Sequence, residues 1–179
     1  MSTRILTLIG SLRSGSDNRR LAEAAAKLAP NGVSVEIFEG LADVALYNED
    51  FDQPGAVPAA DRLRADVGSA DALLLVTPEY NGTMSAALKN AIDWISRPFG
   101  AGVISGKPVA VIGTSHGQYG GVWAHDETRK SFGIAGARVV ETIKLSVPFR
   151  TLEGKAPAEH AEVSANVRDV VGKLVAEVS

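Results

Sequence analysis

Five short apolar runs alternate with longer segments of helical periodicity, and this alternation restricts the fold more than any other feature of the chain. The third run is apolar at every position from Ala72 to Val76, as expected of a strand that is covered on both faces. Strands that alternate with helices form a parallel sheet with helices on both sides. The predicted strands are residues 5–9, 33–38, 72–77, 109–113 and 138–145.

Apolar residues at helical spacing predict the helices that connect and follow these strands. Helices are predicted around Leu21, at 63–70, from Met84 to Ile95, and from Val163 to Val178. Two segments without clear periodicity, 40–58 and 97–108, are predicted to be surface loops. Neither segment is long or biased enough to separate domains, so we expect one domain from residue 1 to residue 179.

Composition excludes several classes of function. The chain of 179 residues has no cysteine, which excludes disulfides, a thiolate nucleophile and cysteine-based metal sites. Three histidines offer few ligands for any other metal centre. A chain with a net charge of −3 also lacks the broad positive surface that nucleic acids require. The apolar run near the start is too short for a signal peptide or a membrane span. We therefore expect a cytoplasmic protein without metal, nucleic acid or membrane.

The segment after the first strand, GSLRSGSDN at 10–18, is suited to bind an anion. Its hydroxyls and the free N–H groups of the following helix can surround a phosphate, and Arg13 adds a charged donor. The spacing matches neither a dinucleotide fingerprint nor a P-loop, which favours a mononucleotide or a phosphate ester. Serine and asparagine are also ordinary helix caps, and Asp17 would repel a phosphate unless it points away or caps the helix.

The segment after the third strand, TPEYNGTMS at 77–85, leaves the carboxyl end of a buried strand. Ligands of open α/β sheets bind at that edge. Pro78 stiffens the turn, Asn81 and Gly82 allow left-handed conformations, and Tyr80 supplies an aromatic surface for a flat heterocycle. The same residues also make a plain turn.

The segment after the fourth strand, GTSHGQYGG at 113–121, has glycines that allow close backbone approach, and Ser115 and His116 offer donors to a carbonyl-rich ring. Its first five residues also match the GxSxG pattern of a hydrolase nucleophile. A triad of Ser115, Asp126 and His160 has the required chain order. The chain is short for that fold and lacks an oxyanion segment, so the hydrolase is kept as an alternative.

Other candidate residues have simpler explanations. The sequence His-Asp-Glu at 125–127 cannot face a single metal, because adjacent helical residues diverge, and it predicts a solvated face. His160 is predicted to be a surface residue that opens the last helix. Trp94 and Trp123 are typical of packing or interface positions. Arg97 follows a helix end, where a cation complements the helix dipole.

Taken together, GSLRSGSDN, TPEYNGTMSAALKNAIDW and GTSHGQYGG resemble the NADPH-dependent FMN reductase family, which includes chromate and quinone reductases. The likeness runs from about residue 4 to residue 125. It implies a flavodoxin-like α/β sandwich of three layers, with a five-stranded parallel sheet in the order 2-1-3-4-5. The chain departs from the family at Ser85 and Ala86, where a Pro-Gly or Pro-Ala pair is usual, and at Val122 and Trp123, where smaller or charged residues are common.

The resemblance also implies an FMN site made of three groups of residues. The phosphate region would be held by Ser11, Arg13, Ser16, Asp17 and Asn18. The isoalloxazine ring would be bordered by Pro78, Glu79, Tyr80, Asn81 and Gly82. The pyrimidine edge of the ring would be approached by Ser115, His116 and Gly117.

The activity implied by the resemblance is hydride transfer from NADPH or NADH to FMN and on to a quinone, a similar small acceptor or free flavin. Ser115 is our candidate for stabilising negative charge on reduced flavin. A homodimer or homotetramer is implied, with contacts near Tyr47 and Trp94. One alternative is a flavodoxin-type electron carrier, and a second is the hydrolase. A dehydrogenase without flavin, with Glu36 or Glu39 on a ribose, is disfavoured by the missing fingerprint.

Overall fold

A computed structural model describes residues 2–178, in which five strands and five α-helices alternate. The elements are β1 Thr3–Ile9, α1 Asp17–Lys27, β2 Val33–Ile37, α2 Pro58–Ser69, β3 Ala72–Val76, α3 Ala86–Ile95, β4 Pro108–Ser115, α4 Val122–Ile134, β5 Arg138–Pro148 and α5 Ala161–Ala176. Single turns of 3-10 helix lie at Leu41–Asp43, Glu49–Phe51 and Phe149–Leu152.

The five described strands pair in parallel in the order β2-β1-β3-β4-β5. This confirms the α/β class and the flavodoxin-like order. The strand order reverses between β1 and β3, which makes that position the switch point of the sheet. Because β1, β3 and β4 are adjacent and parallel, the loops that follow them emerge side by side at one edge.

Alternate residues of the central strands supply two separate cores. Leu73 and Leu75 of β3 pack with α2, α3 and α4 on one face of the sheet. Leu74 and Val76 pack with α1 and α5 on the other face. Because both faces are covered, every residue of β3 is buried, which explains its uninterrupted apolar sequence.

The prediction of a surface loop at 40–58 is wrong in part. Leu41 and Val44 are buried in the core. Asn90 of α3 donates from Nδ2 to the carbonyls of Val44 and Ala45 at 3.1 and 3.0 Å, and the indole of Trp94 donates to Ala45 at 2.8 Å. Side chains of α3 therefore supply donors to the backbone carbonyls of this segment. The segment is held in place by these contacts, although its sequence has no helical or strand periodicity.

Several boundaries differ from those predicted. The third helix begins at Ala86 rather than at Met84, because Ser85 is its N-cap and accepts a hydrogen bond from the Leu88 N–H at 3.3 Å. The helix expected at 63–70 begins earlier, with Pro58 in its first turn. The last strand continues to Pro148, three residues beyond its predicted end.

The pairing of β4 with β5 is irregular between Val109 and Val111. Arg129 of α4 is buried there and donates to the carbonyls of Val111 and Ile143 at 2.9 and 3.4 Å. Burial lowers the pKa of this guanidinium from its ordinary value. The buried arginine thus supplies hydrogen bonds where the strand ladder is interrupted.

Candidate functional site

The loops after β1, β3 and β4 form a cleft at the carboxyl edge of the sheet. Ten of the thirteen residues predicted for a cofactor site line it: Ser11, Arg13, Ser16, Asp17, Asn18, Pro78, Glu79, Tyr80, Ser115 and His116. The other three, Asn81, Gly82 and Gly117, lie in the same loops but not in the cleft wall. Thr114 and Phe149 also line the cleft, and the sequence patterns do not predict them.

The start of α1 presents backbone donors to the cleft. Ser16 is the N-cap, and its Oγ accepts from the Arg19 N–H at 3.4 Å. Within residues 2–178, the N–H groups of Asp17 and Asn18 have no acceptor. Free N–H groups at a helix start, together with the positive end of the helix dipole, favour an anion at this position.

The carboxylate of Asp17 is compensated by two arginines. It lies 3.7 Å from the guanidinium of Arg13 and 3.4 Å from that of Arg20. The cap of α1 is Ser16, so the alternative role of Asp17 as a capping residue is wrong. Because two cations offset its charge, Asp17 does not prevent an anion from binding nearby.

Asn18 joins α1 to the end of β4. Its Nδ2 donates to the Thr114 carbonyl at 3.0 Å, and its Oδ1 accepts from the Thr114 N–H at 2.9 Å. The side chain is buried. Asn18 touches the cleft, but these two bonds give its amide a positioning role for the loop after β4.

The turn after β3 has the conformation that its sequence predicts. Tyr80 and Thr83 exchange backbone hydrogen bonds of 3.0 and 3.1 Å across Asn81 and Gly82. The central residues have φ values of 54° and 76°, so both are left-handed, as in a two-residue type I′ turn. The turn holds Tyr80 at the open side of the cleft, where its side chain is exposed.

Two carboxylates fasten this turn to α4. Glu79 accepts from the Ala124 N–H at 3.1 Å. Glu127 accepts from the Met84 N–H at 3.1 Å and also from the Thr83 hydroxyl. The N-cap of α4 is a glycine without a capping side chain, so Glu79 supplies an acceptor that the helix start otherwise lacks.

The last residue of β4, Ser115, and the first residue of the following loop, His116, lie in the cleft wall. The Ser115 Oγ accepts from the Gly117 N–H at 3.4 Å, which bends the chain immediately after the strand. The exposed ring of His116 lies against Phe149, with 4.5 Å between ring centroids. This contact joins the loop after β4 to the turn that follows β5.

His125 is buried beneath these loops, so the prediction of a solvated face is wrong for this residue. Its Nε2 lies 3.1 Å from the Thr77 carbonyl, and its Nδ1 lies 2.6 Å from the Ser146 Oγ. Because a carbonyl only accepts, Nε2 carries the proton and the Ser146 hydroxyl donates to Nδ1. Burial lowers the pKa of His125 from 6.5 to about 4, so the imidazole is neutral at pH 7.

Gly113 allows β3, β4 and His125 to approach one another. A Cβ at this position would lie 2.1 Å from the Thr77 carbonyl oxygen and 2.5 Å from the His125 Nε2. Both distances are far below van der Waals contact. The glycine is therefore required for close packing beneath the cleft.

The three residues of the hydrolase alternative have other partners. His160 is the N-cap of α5, and its Nδ1 accepts from the Val163 N–H at 3.3 Å. Asp126 pairs with Arg129 at 2.9 Å. Over residues 2–178, no hydrogen bond links Ser115, His160 and Asp126, so the relay that a serine nucleophile needs is not formed.

The carboxylates considered for a ribose are also engaged. Glu36 pairs with Arg4 at 2.9 Å, and Glu39 accepts two bonds from Arg19 at 2.8 and 2.7 Å. Hydrogen bonding to these arginines lowers the pKa of both carboxyl groups. They form ion pairs at the β2 edge of the molecule rather than a nucleotide contact.

The weaker candidates lie outside the cleft wall. Trp94 is buried and packs edge to face against Tyr47, with centroids 5.0 Å apart. Arg97 lies over the Tyr47 ring at 5.6 Å. Trp123 is exposed and contacts Tyr119.

Residues 2–178 contain neither a cluster of metal ligands nor a membrane-spanning helix. No group of three histidine, aspartate or glutamate side chains there could hold a metal ion. None of the helices in that range has the length and apolar character needed to cross a bilayer.

The sequence matches a family model described as NADPH-dependent FMN reductase over residues 3–151. An NAD(P)H-dependent FMN reductase of Pseudomonas aeruginosa is 44% identical over 128 residues, which cover 72% of this chain and 68% of that protein. A quinone reductase of Pseudomonas putida is 42% identical over 127 residues, which cover 71% and 68% of the two chains.

Among solved structures, FerB of Paracoccus denitrificans has a TM-score of 0.82 and 29% sequence identity to this chain. The match covers 98% of this chain and 95% of that one. FerB is described as a flavoenzyme NAD(P)H:(acceptor) oxidoreductase.

Proposed function

Because the chain belongs to the NADPH-dependent FMN reductase family, we propose that it is an oxidoreductase that takes hydride from NADPH or NADH. FMN bound in the cleft would carry the hydride to a quinone, a similar small acceptor or free flavin. The observation that carries this proposal is the cleft itself, which combines a helix start with free N–H donors and an opening bordered by the rings of Tyr80 and His116.

The part of the cleft that would hold the FMN phosphate, called here the phosphate end, has hydrogen-bond donors that are free in the structure. The N–H groups of Asp17 and Asn18 have no acceptor within the described residues, and neither does the Ser11 hydroxyl. Arg13 is exposed, and its one ion pair within residues 2–178 is with Asp17 at 3.7 Å, so it can turn toward a phosphate. We assign Ser11, Arg13, Ser16, Asp17 and Asn18 to this end, with Asn18 acting through its bonds to Thr114.

The ring end is assigned to the loops after β3 and β4. Pro78, Glu79 and Tyr80 line one side of the cleft, and Ser115 and His116 line the other. The rigid turn at Asn81 and Gly82 sets the position of Tyr80, and Gly117 sets the bend after Ser115. Within this arrangement, the Ser115 hydroxyl would donate to the pyrimidine edge and stabilise negative charge on reduced FMN.

The size of the cleft favours a cofactor with one face open. Its volume of about 160 Å³ is below the roughly 300–1,000 Å³ typical of sites that enclose a small molecule. An FMN bound here would be contacted at its phosphate and at one edge of its ring, and one face of the ring would stay accessible to solvent. A nicotinamide and then an acceptor could reach that face in turn.

The test is an absorption spectrum of the purified protein, taken before and after FMN is added and then after NADPH or NADH is added without oxygen. We expect a bound-flavin spectrum that bleaches with the reduced nicotinamide. A protein that binds no FMN at micromolar concentrations would refute the proposal. A flavin that binds but is reduced only by a partner protein would instead identify an electron carrier.

We also propose that the protein is one FMN-binding domain over residues 1–179 and that it forms a homodimer or homotetramer. Support for an assembly comes from exposed apolar side chains near Tyr47 and Trp94, with Leu46 80% and Phe99 86% accessible. Sedimentation velocity would give the oligomeric state. A cytoplasmic location is part of the same proposal, since a cysteine-free chain fits a reducing compartment.

A further inference from the structure

Two exposed aromatic side chains lie at the end of the glycine-rich loop after β4. The rings of Tyr119 and Trp123 pack edge to face, with centroids 5.5 Å apart and an interplanar angle of 68°. Their side chains remain 53% and 56% exposed. Each ring restrains the other without covering it, so a fixed aromatic surface faces solvent.

The backbone between these residues is tightly constrained. Gly120 and Gly121 have φ values of 65° and 95°, which other residues rarely adopt. A Cβ at Gly120 would lie 2.6 Å from the Val147 carbonyl carbon. The loop is therefore pressed against the end of β5, and this packing sets where the two rings stand.

Hydrogen bonds place the same surface beside the cleft. The residue after Trp123 is Ala124, whose N–H is bound by Glu79 of the cleft wall. One helical turn beyond Trp123, on the same face of α4, Glu127 accepts from Thr83 in the turn after β3. Trp123 thus stands next to the turn that borders the open side of the cleft.

We propose that Tyr119 and Trp123 form an acceptor platform, an aromatic surface that binds a flat, uncharged aromatic acceptor such as a naphthoquinone. This inference rests on the proposed function, because the acceptor must reach a cofactor in the cleft. Glu79 and Glu127, the groups that fasten the turn to α4, are both carboxylates. Their charge disfavours an anionic acceptor, whereas a neutral ring gains stacking contacts.

The first test compares Trp123→Ala and Trp123→Phe with the parent protein, using menadione as the acceptor. We expect the KM for menadione to rise roughly three- to tenfold in Trp123→Ala and to change less than twofold in Trp123→Phe, because phenylalanine keeps a ring. The anaerobic rate at which NADPH bleaches bound FMN should stay the same in both variants. Phe51→Ala removes an aromatic side chain that is also 56% exposed and lies outside the cleft wall, and it should leave the KM unchanged.

A binding measurement provides a second readout. The FMN-loaded protein is titrated with menadione in the absence of nicotinamide while tryptophan fluorescence is recorded. We expect saturable quenching that disappears in Trp123→Phe, since the remaining Trp94 is buried. A sulfonated naphthoquinone should bind the parent protein more weakly than menadione does.

The platform is refuted if Trp123→Ala keeps the parental KM while its FMN bleaches normally. It is also refuted if the bleaching rate in Trp123→Ala falls as much as acceptor turnover does, because the rings would then bind the nicotinamide rather than the acceptor. Failure of the proposed function is distinguishable, since the parent protein itself would fail to bind FMN or to be reduced by NADPH.

Discussion

The side chain of Asn18 hydrogen-bonds both the N–H and the carbonyl of Thr114, at 2.9 and 3.0 Å, although 96 residues separate the two in the chain. One amide thus satisfies two buried backbone groups at the end of β4. The same contact joins the start of α1, which we assign to the phosphate, to the end of β4, where the residues assigned to the flavin ring begin.

Replacing Asn18 with Ala is expected to lower the free energy of unfolding by about 2–3 kcal/mol, because both Thr114 backbone groups lose a buried partner. FMN affinity should fall as well, since the start of α1 and the end of β4 are no longer held together. Urea denaturation and an FMN titration measure the two effects. Unchanged stability in Asn18→Ala would show that water replaces the amide.

Arg13 and Arg20 provide a matched pair for the phosphate end. Both are exposed and pair with Asp17, but only Arg13 lines the cleft. Arg13→Ala is expected to weaken FMN binding about tenfold, the loss of one partly screened charge-assisted bond. Arg20→Ala should change it less than twofold.

Riboflavin serves as the control for this prediction, because it lacks the phosphate. Its affinity should be the same in Arg13→Ala and the parent protein. A riboflavin affinity that falls in parallel with that of FMN would show that Arg13 acts on the ring or on the fold.

The buried His125 predicts how stability depends on pH. Its folded-state pKa is about 4, below the ordinary value of 6.5, so the unfolded chain binds the proton more tightly. Stability is therefore fully present above pH 6.5 and falls as the pH drops from 6.5 toward 4. Between these two pH values the free energy of unfolding is expected to fall by roughly 3 kcal/mol.

Thermal unfolding between pH 4 and pH 7 tests this prediction, with His125→Asn as the comparison. The variant should be less stable at pH 7, because the bonds to Thr77 and Ser146 are weakened. Its stability should also depend less on pH over the same interval. Equal pH dependence in both proteins would assign the effect to other groups.

Two glycines are predicted to respond to alanine in opposite directions. A Cβ at Gly113 would overlap the Thr77 carbonyl oxygen at 2.1 Å, so Gly113→Ala should destabilise the protein by at least about 2 kcal/mol and impair FMN binding. A Cβ at Gly172 in α5 meets nothing within 4 Å. Gly172→Ala should stabilise the helix by up to about 1 kcal/mol. Melting temperatures compare the two.

Ser115→Ala tests the assignment at the pyrimidine edge. Loss of the hydroxyl is expected to lower the reduction potential of bound FMN and to slow its bleaching by NADPH, while FMN affinity changes little. Spectroelectrochemistry and rapid-mixing absorbance measure the two quantities. If the potential and the rate both match those of the parent protein, Ser115 has no such role.

Much of the sheet could be predicted because β3 is buried on both faces and its residues are uniformly apolar. The turn at Asn81 and Gly82 is equally predictable from the sequence, since both residue types tolerate positive φ. The sequence does not predict that His125 is buried, although its spacing to Thr128 and Phe132 places all three on one helix face. A titratable residue alone does not reveal whether that face is covered.

Local sequence determined the alternation of strands and helices, the caps at Ser16 and Ser85, and the three polar loops, because each depends on interactions within a few residues. Tertiary structure alone decided that Asn18 would bind Thr114 and that Phe149 would complete the cleft. It also decided that the segment around Val44 would be held by α3. These contacts join distant parts of the chain, and a hydrogen bond or a ring contact depends on where two groups meet in space.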